Sequence, residues 1–143
     1  MADILKAACI QLDSGPDIDS NIRAAEVHIR EAAGQGAMLI ATPEVTDQVI
    51  SNRADKIDQT HTEGDHPGVP FFSALAAELK IYLLIGSMIV RRDDGKLANR
   101  SFLFGPDGGI KARYDKIHLY DVDLPTGESH RESRIFTPGR EAP

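Results

Sequence analysis

The sequence predicts an α/β domain, and three observations carry that expectation. The opening 41 residues read strand, helix, strand. A second helical stretch, 67–79, leads straight into the longest β-rich run of the chain, residues 81–90. Two glycine-bearing turns, Asp93-Asp94-Gly95-Lys96 and Gly105-Pro106-Asp107-Gly108-Gly109, then fold the chain back on itself as a meander. Helices between the early strands require parallel pairing, and tight turns between the later ones require antiparallel pairing.

Each element has a local reason. Residues 4–12 contain Ala7-Ala8-Cys9-Ile10, nearly all apolar, which predicts a buried first strand. Asp13-Ser14-Gly15-Pro16-Asp17 is turn chemistry. Ile18, Ile22, Ala25, Ile29 and Ala33 recur at helical spacing, with Arg23, Glu26, Arg30 and Glu31 largely on the wet side. Asp17 or Asp19 caps that helix, and Gly34 and Gly36 end it. The wholly apolar run 37–41 predicts a central parallel strand covered on both faces. Residues 46–68 are polar and aperiodic, which predicts a binding-type loop with a short helical turn. Pro70 suits the first turn of a helix whose apolar stripe is Phe71, Phe72, Leu75, Ala76 and Leu79. Residues 97–104 and 110–114 complete the meander. Residues 116–120 alternate polar and apolar, so a strand there would set Lys116, His118 and Tyr120 on one face and Ile117 and Leu119 on the other. The polar tail, 126–143, shows no closing strand or helix.

Bulk properties exclude several function classes. A length of 143 residues is enough for one domain with a real core, and 41% apolar content is not a disordered composition. The net charge is −6, and no basic cluster exceeds Arg91-Arg92, which argues against a nucleic-acid surface. A single cysteine, Cys9, allows no internal disulfide and fits a reducing compartment. No apolar run reaches membrane-spanning length, and the start is no signal peptide, so the expectation is a cytoplasmic protein with no membrane partner. The glycines fall in hairpins rather than in a G-x-G-x-x-G or Walker pattern, and no cofactor is expected. Asn99-Arg100-Ser101 is a glycosylation sequon by chance. His61-Thr62-Glu63-Gly64-Asp65-His66 gathers imidazoles and carboxylates, but it lacks HExxH or CxxC spacing, so no metal is expected.

Two residues stand out chemically. Glu44 directly follows the second strand, and the carboxyl ends of buried strands are where open α/β sheets place their sites. The plainer reading is a loop glutamate or a helix cap. Lys116 taken alone is a solvated lysine, because lysine is mostly exposed.

Four pieces in register change that reading. The runs 39–44, 99–108 and 114–125, together with Glu132-Ser133 followed by Thr137-Pro138-Gly139, resemble the nitrilase superfamily of carbon–nitrogen hydrolases. The match in order and spacing covers essentially the whole chain, and it leans toward the Nit branch that includes omega-amidases. The resemblance implies an αββα four-layer sandwich of which this chain is the amino-terminal half. It also implies a Glu-Lys-Cys triad, with Glu44 as general base, Lys116 as the cation at the oxyanion and Glu132 as the additional glutamate that orients. The family's nucleophilic cysteine lies beyond the lysine, and no cysteine follows Lys116 here. Cys9 does not match that position and is expected as a small buried hydrophobe. The domain is therefore expected to be incomplete over 1–143 and inactive alone. The resemblance further implies a small amide or nitrile substrate, no cofactor, and a homo-oligomer for the full-length protein.

The residue types make chemical sense. A thiol of pKa ~8.5 needs a base to become a nucleophile, and a glutamate of pKa ~4.3 needs a dry pocket to serve as one. A fixed ammonium stabilises the oxyanion that thiolate attack creates. Two readings compete with the amidase: a catalytically dead nitrilase-like binding or regulatory domain, and a plain α/β domain whose motif residues are structural.

Overall fold

The computed structural model describes residues 4–49 and 60–142. Five strands form one sheet in chain order: β1 (Ala7–Cys9), β2 (Leu39–Ala41), β3 (Tyr82–Arg91), β4 (Leu97–Phe104) and β5 (Ile110–Asp115). Helix α1 (Ile18–Gly34) joins β1 to β2, and α2 (Gly68–Leu79) joins β2 to β3. These two strand pairs are parallel, while β3, β4 and β5 pair antiparallel. Both crossovers step in the same direction across the sheet. Right-handed connection therefore puts both helices on the same face.

That face holds the main core. Ile22, Ala25 and Ile29 of α1 and Phe72, Leu75 and Ala76 of α2 pack on Ile40, Leu83, Ile85, Phe102 and Phe104. The arrangement is one α layer on one β layer, the mixed α/β class expected. Asp17 is the α1 cap, its Oδ1 accepting from Ser20 N at 2.8 Å.

Four expectations need correction. The first strand is not buried: β1 is a sheet edge, and Ala7 and Cys9 are exposed because they face away from the helices. Likewise β2 is covered on one face only. Ile40 is buried under the helices, whereas Leu39 and Ala41 are half-buried on the other side. Farther along that open face, Tyr82 and Leu84 are 46% and 36% exposed.

Residues 116–120 do not form a strand. The β4–β5 ladder ends with Asp115 opposite Arg100. Lys116 N still donates to Asn99 O at 2.9 Å, but Ile117 N turns to Tyr114 Oη at 3.3 Å. Leu119 packs on the second apolar cluster, around Ile89, Leu97 and Phe136, so the alternation reflects side-chain anchoring rather than a ladder.

The tail is also ordered. β6 (Asp121–Asp123) pairs antiparallel with β7 (Ser129–Arg131), followed by a 3-10 turn, Glu132–Arg134. Phe136 is 3% exposed, and Leu97 bonds both Ile135 O and Thr137 N at 2.9 and 2.8 Å. Gly139 N then donates to Lys116 O at 3.0 Å. A Cβ on Gly139 would run into the Asp115 carbonyl, so this close approach requires glycine. Local composition could not announce these contacts, because they join residues far apart in sequence.

Of the loop expected over 46–68, with its short helical turn, residues 50–59 lie outside those described. Among the described residues, no helix is long and apolar enough to cross a membrane.

Candidate active site

The site begins at the end of β2. Thr42 N donates to Leu84 O at 2.9 Å, and the chain then turns sharply through residues 43–46. Val45, directly after Glu44, has φ 55°. A β-branched residue in the left-handed region is strained by about 1–3 kcal/mol, so the surroundings must over-determine it. They do. Val45 N donates to Ser87 Oγ at 2.7 Å and Thr46 N to Ser87 O at 2.8 Å. Thr46 Oγ1 donates to Pro43 O at 2.8 Å and lies 2.7 Å from Thr42 Oγ1, which accepts from Gly86 N at 3.2 Å. Gly86 and Ser87 occupy the register shift of β3 between Ile85 and Met88. The bulge thus turns strand groups toward the turn that aims Glu44.

Beyond the turn, Asp47 continues the anchoring. Its carboxylate is fully buried, with Oδ2 accepting from Ile89 N at 3.0 Å and contacting His66 Nε2 at 3.1 Å. Gly68 N donates to His66 Nδ1, so Nδ1 carries no proton and Nε2 is the nitrogen that donates to Asp47. Both ring nitrogens of His66 are engaged in this anchoring.

Lys116 enters from β5. Its main chain is clamped between Asn99 O and Gly139 N. The preceding Asp115 is held by Arg100 through Nε at 2.6 Å and Nη2 at 2.9 Å, and by Arg92 at 3.1 Å. Glu132 arrives on the 3-10 turn after β7. Its Oε2 accepts from Tyr120 N at 2.7 Å. One small apolar cluster seats all three segments: Val45 beside Glu44, Leu119 after Lys116, and Ile135 after Glu132 pack on Ile89, Leu97 and Phe136.

The structure brings the three residues singled out in the sequence together. Lys116 Nζ lies 3.1 Å from Glu44 Oε1 and 3.1 Å from Glu132 Oε2. Glu132 is nearly buried, its side chain 14% exposed, while that of Glu44 is 58% exposed. Among the described residues no dry pocket encloses Glu44, which stands on the open side of the sheet. A fourth side chain was not anticipated as part of the group. Asn99 Nδ2 donates to Glu44 Oε1 at 2.6 Å. Cys9 stands on the opposite edge of the sheet from β5. Four strand spacings of about 4.8 Å set the two strands roughly 19 Å apart.

Desolvation pulls the Lys116 ammonium toward the neutral form, but hydrogen bonds to Glu44 and Glu132 outweigh it and raise its pKa above the ordinary 10.5. A raised folded value contributes stability that is fully present below the unfolded pKa and lost as pH rises through the folded one. The expected result is a urea-midpoint difference between wild type and Lys116→Met that holds up to about pH 10 and shrinks above it. A difference that grows with alkalinity would contradict the pairing.

Sequence reasoning missed Asn99, Gly86 and Ser87. One signal was available: a glycine inside a β-rich run marks a bulge or a close backbone approach. Asn99 left no such trace, since its role depends on a turn 55 residues away.

Comparison with known proteins shows the family. The family model described as "Carbon-nitrogen hydrolase" matches residues 6–143. The chain is 37% identical to omega-amidase NIT2 of Homo sapiens over 139 residues, covering 94% of this chain and 48% of the relative. It is 36% identical to the chloroplastic omega-amidase of Arabidopsis thaliana over 132 residues, covering 90% of this chain and 36% of the relative. Among solved structures, the C. elegans NitFhit protein superposes with a TM-score of 0.83 at 25% identity, over 96% of this chain and 35% of that one. Saccharomyces cerevisiae Nit3, a member of branch 10 of the nitrilase superfamily, gives 0.78 at 26% identity, over 96% and 49%. The chain spans about half the length of the curated relatives it matches, or less.

Proposed function

Because the chain belongs to the carbon–nitrogen hydrolase family, the nitrilase superfamily, and falls with its Nit/omega-amidase branch, we propose that Glu44, Lys116 and Glu132 are the base, the oxyanion cation and the orienting glutamate of a site that hydrolyses a small carboxylic-acid amide. The observation that carries this reading is the placement of one ammonium 3.1 Å from each of two carboxylates.

The chemistry runs in two halves. Glu44 takes the proton of a cysteine thiol, and the thiolate attacks the amide carbon. The carbonyl π electrons move to oxygen, where the Lys116 ammonium stabilises the charge. The oxyanion collapses and the C–N bond breaks. The leaving amine takes the proton from Glu44, which leaves a thioester. Water, deprotonated by Glu44, then attacks the thioester, and the thiol regains its proton as the acid departs. Glu132 keeps Lys116 aimed throughout, its own position fixed by Tyr120 N.

Cys9, on the far edge strand, is not the thiol of this scheme. The nucleophile belongs to a part of the protein outside these 143 residues, and the chain alone is inactive. The family resemblance favours an omega-amide of a small acid as substrate, in a cytoplasmic and homo-oligomeric protein.

The test is ammonia release from a small omega-amide by the full-length protein. Glu44→Gln and Lys116→Ala are each expected to lower kcat about 10²–10³-fold, the usual cost of removing a transition-state partner. Turnover that survives either substitution would remove the triad assignment. Amide hydrolysis by the 143-residue chain that persists after thiol alkylation would do the same.

A further inference from the structure

Glu44 has two oxygens in unlike surroundings. Oε1 accepts from Asn99 Nδ2 at 2.6 Å and from Lys116 Nζ at 3.1 Å. Oε2 accepts no hydrogen bond among the described residues. We infer that Asn99 is a positioning residue that divides the carboxylate: it ties Oε1 to Lys116 and leaves Oε2 as the oxygen that takes the proton.

The geometry of Asn99 supports this. It lies in β4 opposite Ile89 and is 7% exposed, so its side chain is held by the sheet. A carboxylate only accepts, which fixes the amide with Nδ2 toward Glu44. Its main-chain carbonyl accepts from Lys116 N at 2.9 Å. One residue therefore seats the backbone of the cation and grips the side chain of the base. Glu44 is 58% exposed and has free rotamers to lose, so without that grip it swings toward water and Lys116 loses one of its two carboxylates. The assignment of Oε2 as proton acceptor rests on the function proposed above. The Asn99–Glu44–Lys116 coupling does not.

Competitive acetylation of the 143-residue chain near pH 9 tests the coupling, with exposed Lys80 as internal reference and peptide mass spectrometry as readout. Losing one carboxylate lowers the Lys116 pKa, because one of the two hydrogen-bonding anions that favour the ammonium is gone, and its labelling rate is expected to rise about threefold. Asn99→Leu and Glu44→Gln are each expected to give that rise, and the double variant no more than either alone. Asn99→Ser serves the same comparison if the leucine variant does not fold. An unchanged rate in Asn99→Leu or Asn99→Ser overturns the inference. So does a rise that persists undiminished in the Glu44→Gln background, because Asn99 would then act on Lys116 by another route. Coupling seen here, together with amidase turnover that ignores Glu44→Gln, would leave Asn99 as the positioner of an ion pair and remove only its link to catalysis.

Discussion

Gly86→Ala is expected to cost about 3 kcal/mol of stability and to release the turn that carries Glu44. An added Cβ would run into the Thr42 carbonyl and come within 2.6 Å of the Pro43 carbonyl carbon and oxygen. Those obstacles are main chain, so no rotamer change relieves them. Either the β3 bulge or the 43–46 turn must move. The same turn holds Val45 at φ 55° and is secured by Ser87 and by the Thr42–Thr46 hydroxyl pair. A shift there therefore gives up several hydrogen bonds at once. The control is Gly15→Ala, whose Cβ meets nothing within 4 Å; it is expected to stay within about 0.5 kcal/mol of wild type. Urea unfolding of both variants decides the matter. Equal midpoints for Gly86→Ala and Gly15→Ala would show that the close approach carries no weight.

The contrast between these glycines shows what the sequence made legible. Periodicity and turn chemistry are local signals. They located α1, α2 and the three strands of the meander within a residue or two, and narrowed the α1 cap to Asp17 or Asp19, of which the structure uses Asp17. Glu44 drew notice because it follows a short apolar strand, but position alone left it a loop glutamate or a helix cap, and only the family resemblance singled it out. What stayed hidden depends on sheet topology. The exposure of Cys9 follows from β1 being an edge, with both helices on the other face. The alternation of residues 116–120 mimicked a strand because Leu119 is anchored in a cluster built from β3, β4 and the tail. The ordered tail could not be read from its polar composition, because Leu97 and Lys116 supply the partners that pin it. Asn99 gained meaning only when β4 brought it beside a turn from much earlier in the chain.

His66→Ala is expected to cost about 3–5 kcal/mol, because it strands the Asp47 carboxylate in the interior without its imidazole donor. Asp47 is fully buried, and its Oδ1 has no hydrogen-bond partner among the described residues. The ion is thus stabilised through one oxygen only, by His66 Nε2 and Ile89 N. Asp47→Asn separates charge from shape. An asparagine oxygen can accept both of those hydrogen bonds, with its amide group where Oδ1 stands unpaired. An unpaired buried amide is less costly than an unpaired carboxylate oxygen, so the loss of charge-assisted bonding is largely offset, and the expected change is about 1 kcal/mol or less. Asp47→Leu leaves Ile89 N–H and His66 Nε2–H without acceptors and should resemble His66→Ala. Urea midpoints for the three variants carry the comparison. If Asp47→Asn falls as far as His66→Ala, the charge itself holds the loop behind Glu44. If all three stay near wild type, the pair does not anchor that loop, and the aim of Glu44 rests on the Gly86–Ser87 bulge alone.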